Sequence, residues 1–103
     1  LPKYFLALKN KALALLNLQR NSEAIEMYDK LLAEDPEFSV AYKYKALVQI
    51  RIKDYKSALD NLNKALSIDS TDTETLNYIS QLYILTGNNS KAQFYLNKLN
   101  IRK

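Results

Sequence analysis

Residues 5–38 read FLALKNKALALLNLQRNSEAIEMYDKLLAEDPEF, and residues 39–72 read SVAYKYKALVQIRIKDYKSALDNLNKALSIDSTD. Set one above the other, the two stretches share nine identities: Ala7/Ala41, Lys9/Lys43, Lys11/Lys45, Ala12/Ala46, Leu13/Leu47, Ala24/Ala58, Lys30/Lys64, Leu32/Leu66 and Asp35/Asp69. Unrelated stretches of ordinary composition would share about two or three. A further shift of 34 residues carries the pattern on, so that Ala92 joins Ala24 and Ala58, and Ser80 joins Ala12 and Ala46. The chain is an internal repeat. Each period is one unit that buries its apolar face only by stacking on its neighbours.

Each period holds two helical runs. A large residue opens the first (Leu8, Tyr42, Leu76) and a small one follows four positions on (Ala12, Ala46, Ser80). In the second run Ala24, Ala58 and Ala92 are followed four positions on by Tyr28, Leu62 and Leu96. Two helices approach within about 8–10 Å only where the crossing side chains are small, which accounts for the alanines; the large residues fill the grooves beside the crossing. One Gly and two Pro in 103 residues leave few positions for tight β-turns, so the expected class is all-α. The expected helices cover residues 3–18, 22–34, 37–52, 55–68, 73–86 and 89–101. Pro2 suits a first helical turn, Asp54 and Asn88 suit N-caps, and Thr71 with Glu74 reads as a capping box for the fifth helix. Gly87 suits a left-handed helix end.

This column pattern resembles the tetratricopeptide repeat (TPR) family over nearly the whole chain, from about Phe5 to Lys103. Leu15, Gln49 and Tyr83 stand where that family prefers an aromatic, and Asp35-Pro36 matches its closing proline, which Asp69-Ser70 lacks. Lys11 and Lys45 depart from a usual Leu, and Leu31 from a usual Ala. The resemblance implies an α-solenoid of three antiparallel helical hairpins in a right-handed superhelix. It implies a single domain over residues 1–103, with repeats at about 5–38, 39–72 and 73–103, the third truncated. It also implies that the first helix of each hairpin lines a concave groove that holds extended or helical peptides.

The composition narrows the chemistry. With no Cys and no His, disulfides, thiolate nucleophiles, imidazole bases and most zinc sites are excluded. No Gly-rich phosphate loop is present, and Glu23, Glu26 and Asp29 beside Lys30 read as a solvated outer face. Glu34, Asp35 and Glu37 straddle a turn and are expected to cap the next helix. The expectation is no catalysis, no metal and no cofactor. Formal net charge is +4, from 15 basic and 11 acidic residues, which is mild for a nucleic-acid binder. No apolar run approaches the roughly 18 residues of a membrane span. The chain opens at Leu1 with no signal-peptide layout, and is expected to be a piece of a longer, cytoplasmic protein.

On the implied inner face lie Leu6, Lys9, Asn10, Leu13, Leu16 and Asn17 of the first repeat. The second repeat offers Val40, Lys43, Tyr44, Leu47, Ile50 and Arg51, and the third Glu74, Asn77, Tyr78, Gln81, Ile84 and Leu85. The candidate binding set is Lys9, Leu13, Lys43, Tyr44, Leu47, Arg51, Tyr78 and Gln81. A cationic, apolar groove of this kind suits a protein or peptide ligand with acidic and apolar side chains. Packing on further helices of the parent protein is the alternative, and stacking of RNA or DNA bases on Tyr44 and Tyr78 a third. The carboxylate clamp of chaperone-binding members of the family is not reproduced: Lys9 matches it, but Leu13, Tyr44, Glu74 and Tyr78 do not. Lys11 and Lys45 are expected to lay their stems along the hairpin with the ammonium groups in water. Phe94, Tyr95, Leu96, Leu99 and Ile101 make the last helix more apolar than one neighbour can cover, so self-association through it is expected.

Overall fold

The computed structural model describes residues 3–101, which form six helices and no strand. They are α1 (Lys3–Asn17), α2 (Asn21–Glu34), α3 (Ser39–Arg51), α4 (Tyr55–Ile68), α5 (Thr73–Leu85) and α6 (Asn89–Ile101). The all-α expectation holds, with ends within two residues of those anticipated; Pro2 lies outside the described residues. The latest start is that of α3. Asp35 Oδ1 accepts the Glu37 N–H at 3.1 Å and the Asp35 carbonyl accepts that of Phe38, which keeps residues 35–38 in a turn. The acids there shape this turn and do not cap α3, whose N-cap residue, Phe38, makes no side-chain cap.

The hairpin loops obey one backbone rule. Gln19, Lys53 and Gly87 occupy the same place in successive repeats, and all three have positive φ: 60°, 65° and 82°. Only the third is a glycine, so only Gly87 signalled this rule in the sequence. In each loop the next residue's N–H returns to a carbonyl five positions back, Arg20 to Leu15, Asp54 to Gln49 and Asn88 to Tyr83, at 2.8–2.9 Å. This is the bond that closes a helix through a left-handed residue. Asp54 then caps α4 by accepting the Ser57 N–H, and Asn88 accepts that of Lys91. The box proposed for α5 needs correction. Its N-cap is Asp72, whose carboxylate accepts both the N–H and the hydroxyl of Thr75, while Thr71 donates its hydroxyl to Asp69.

Helices pack as hairpins first: α1 on α2, α3 on α4, α5 on α6. Ala12 and Ala24, Ala46 and Ala58, and Ser80 and Ala92 are all 2% exposed or less, which is the close approach their size permits. Each second helix then packs against the first helix of the next hairpin, α2 on α3 and α4 on α5. One apolar cluster gathers Phe5, Tyr28, Leu31 and Val48, and another Leu62, Ile79, Leu82 and Tyr83. Helix α3 contributes to both, through Ala41 and Val48 to one and Ala46 to the other. The first helices also touch one another, α1 with α3 and α3 with α5, whereas among the described residues the second helices do not. Helices α1, α3 and α5 therefore form a continuous inner layer, and α2, α4 and α6 splay apart on the outside.

Candidate functional site: the face lined by α1, α3 and α5

The sequence-derived candidates lie on α1, α3 and α5. Lys9, Leu13, Arg51 and Gln81 are exposed there, and Tyr44, Leu47 and Tyr78 are half-buried. Leu16, expected on the same face, turns into the core instead. The tyrosines owe their position to the repeat: Tyr44 sits on α3 and Tyr78 on α5, 34 residues apart. Tyr44 rests 6.2 Å, centroid to centroid, from the buried ring of Tyr28 on α2.

Lys43 departs most from expectation. The repeat pattern marks it as a groove cation, yet it is 6% exposed. Its ammonium lies 2.9 Å from Asp72 and 3.1 Å from Glu74, and 5.0 Å from the centre of the Tyr44 ring. The cause is long-range. The N-cap and first turn of α5 bring Asp72 and Glu74 over α3, some 30 residues from Lys43 in sequence. Burial pulls the Lys43 ammonium down, but hydrogen bonds to Asp72 and Glu74 outweigh it and raise its pKa. Burial pushes the Asp72 carboxyl up, but bonds from Thr75 and Lys43 outweigh this and hold it below the usual range. Both groups are thus charged at neutral pH. Glu74, half exposed, also accepts the Tyr78 hydroxyl at 3.3 Å. Burial first, and then Glu74, raise the pKa of Tyr78.

Arg51 is engaged differently. Its Nη1 donates to the Leu16 carbonyl at 2.8 Å, closing one of the last carbonyls of α1. Helix α3 therefore reaches to both neighbours, back with Arg51 and forward with Lys43. Lys45 pairs with Asp29 at 2.6 Å, so its ammonium ends on a carboxylate and not in open water as expected; Lys11 is exposed. The outer acids are paired as well, Glu23 with Arg20 and Glu26 with Lys30. Asp72 is the contributor that sequence reasoning missed; its Asp-x-x-Thr spacing to Thr75 was the readable signal.

Adjoining these residues, a cleft of about 600 Å³ opens between α5 and α6, lined by Glu74, Asn77, Gln93, Leu96 and Leu99 among others. One repeat earlier, Leu62 and Ala65 at the places of Leu96 and Leu99 are fully buried. Phe94, at the place of the exposed acids Glu26 and Asp60, is 55% exposed, with the Lys98 ammonium 4.7 Å over its ring. Among the described residues, no helix is long and apolar enough to cross a membrane.

With this geometry in hand, the relatives can be placed. The family profile described as tetratricopeptide repeat matches residues 7–38 and 45–72, more than half of the chain. The chain belongs to the tetratricopeptide repeat family. It is 32% identical over 94 residues to the human and rat mitochondrial import receptor subunit TOM70, a match spanning 89% of this chain. It is 30% identical over 86 residues to the DnaJ homolog subfamily C member 7 homolog of Dictyostelium discoideum. The chain spans only about one sixth of the length of these curated relatives. Among solved structures, the second TPR of Spaghetti (RPAP3), bound to the HSP90 peptide SRMEEVD, superposes with a TM-score of 0.90 at 15% identity, covering 98% of this chain and 94% of that one. MamA of Desulfovibrio magneticus RS-1 superposes with a TM-score of 0.86 at 18% identity, covering 94% and 55%. These likenesses establish the fold, an α-solenoid of helical hairpins.

Proposed function

We propose that this chain is a non-catalytic protein-interaction module that holds a peptide or helical segment against the inner faces of α1, α3 and α5. What supports the reading is the contact of α1 with α3 and of α3 with α5, together with the exposure of Lys9, Leu13 and Arg51 and the half-burial of Tyr44, Leu47 and Tyr78 on those helices. Aromatic and Arg side chains are the types that most often dominate binding energy at protein interfaces. That a similarly folded protein is solved with a peptide bound supports a peptide as the class of ligand. The ligand we infer carries acidic and apolar side chains, and a groove this short binds it at about micromolar strength, roughly −8 kcal/mol.

The test is to select peptides from a random library on the intact chain and then measure them against variants. Tyr44→Ala should weaken binding by more than about 1 kcal/mol while the circular dichroism spectrum stays helical. Arg51→Glu should slow association and flatten its salt dependence. Glu26→Lys, on the outer face, should change nothing. If Glu26→Lys matters and Tyr44→Ala does not, the ligand sits on the convex side and the reading fails.

A second reading is carried by the open cleft beside α6. Leu96 and Leu99 line it half-buried, and Phe94 stands exposed on the same helix. Such a surface suits self-association, with α6 set against a second copy. Sedimentation velocity should then show dimers or larger species at high concentration. A sharp monomer throughout the concentration range would remove this reading.

A further inference from the structure

Charge is not shared evenly along the inner layer. Helix α1 carries Lys3, Lys9 and Lys11 and no acid, and α3 carries Lys43, Lys45 and Arg51 and no acid. Helix α5 reverses this, with Glu74 as its single charged residue. Pairing sharpens the contrast. The Lys43 ammonium lies between Asp72 and Glu74, so the three groups together carry one net negative charge, and Glu74 is the most exposed member. At the other end Lys9 is exposed and makes no ion pair among the described residues. Arg51 spends one N–H on the Leu16 carbonyl, an uncharged acceptor, so its positive charge is undiminished. With Lys43 held in that cluster and Lys45 paired with Asp29, the inner layer is cationic at Lys9 on α1 and at Arg51 on the last turn of α3, and anionic at Glu74 on α5.

The geometry points to a ligand that is itself bipolar: an extended protein segment with an acidic side chain over Lys9 and a basic side chain over Glu74, flanking an apolar stretch on Tyr44 and Leu47. This inference rests on the groove reading above and adds the ligand's charge order and length. Neighbouring helices lie about 8–10 Å apart, so α1 and α5 are separated by roughly 16–20 Å. An extended chain rises about 3.3 Å per residue, which places the acid and the base about five or six residues apart. A nucleic acid is disfavoured on the same ground. It carries one sign along its whole length, and its phosphates would meet Glu74 wherever its bases met Tyr78.

The test uses the intact chain and fluorescently labelled eight-residue peptides with one shared apolar centre, read by anisotropy at low ionic strength. One pair carries an acid at one end and a base at the other, in both orders. A third peptide has acids at both ends and a fourth has bases at both. The better of the two mixed peptides should bind about tenfold more tightly than the double-acid peptide. Glu74→Gln should close that gap by improving the double-acid peptide. Lys9→Glu should weaken the mixed and double-acid peptides and strengthen the double-base one. A double-acid peptide that binds the unmodified chain as tightly as the mixed pair overturns the bipolar assignment and leaves the groove standing. Binding indifferent to both Tyr44→Ala and Lys9→Glu, or absent for all four peptides, overturns the groove itself. The comparison on the unmodified chain decides the question even if Glu74→Gln fails to fold.

Discussion

In the middle hairpin, Leu62 and Ala65 are buried against the core and α5 covers them; in the last hairpin, Leu96 and Leu99 hold the same places half-buried beside an open cleft. The residues are similar and the register is identical. What differs is the neighbour. Helix α4 has α5 against it, whereas Leu96 and Leu99 face the cleft. Burial in this fold is thus a property of position in the stack as much as of residue type, which is the behaviour of a quasi-one-dimensional array. The two hairpins also differ electrostatically. The middle one sends Lys43 out to two carboxylates, and the last one receives it.

The largest test of that contrast is cavity formation. Leu62→Ala should destabilise the chain by about 2–5 kcal/mol, measured by urea unfolding. Leu96→Ala should cost less than half as much, because its side chain already meets solvent. Equal losses would mean that the cleft closes in solution.

The next test removes the cation between the hairpins. Replacing Lys43 by Met should cost about 1–2 kcal/mol at neutral pH, less than a fully buried pair, because Asp72 and Glu74 stay 26% and 52% exposed. The pH dependence separates charge from packing. The folded-state pKa of Asp72 is depressed, so its contribution is complete above the ordinary carboxylate value and is lost as pH falls through the folded value, below about pH 4. That of Lys43 is raised, so its contribution is complete below about pH 10 and is lost only as pH rises beyond this. The stability gap between the parent chain and Lys43→Met should therefore be flat near neutrality and shrink below about pH 4. A gap unchanged down to pH 2 would assign the effect to the lysine stem.

The smallest test concerns the loops. Lys53→Gly should stabilise by up to about 1 kcal/mol, because glycine adopts the left-handed conformation without steric cost. Gly87→Ala should destabilise by a similar amount. A Cβ there would meet nothing within 4 Å, so the cost is that of the backbone alone. Thermal melts of the two variants moving in the same direction would contradict the shared loop geometry.

The fold was legible in the sequence because its determinants are local and repeated: small residues at each crossing, caps at Asp54 and Asn88, and a 34-residue period. The left-handed positions at Gln19 and Lys53 were hidden, since neither residue advertises positive φ, although aligning them with Gly87 exposes the column. Thr71 and Asp72 are both capable caps standing side by side, and only the helix start at Thr73 separates them. The candidate groove residues could be named from the repeat, but their ion pairing could not. Lys9 and Lys43 occupy the same column, yet one is exposed and the other buried, because the difference is made by acids at the start of α5, some 30 residues from Lys43.

The stacking of each helix only on near neighbours bears on how quickly this chain finds its structure. Among the described residues, no two helices more than one repeat apart touch, and the longest-range hydrogen bond, Arg51 to Leu16, spans 35 residues. Folding therefore never has to close a long loop before native contacts begin to repay its entropy. Chains whose contacts are this local fold in microseconds to milliseconds. Any of the three hairpins can serve as the starting point, with its neighbours added in either direction.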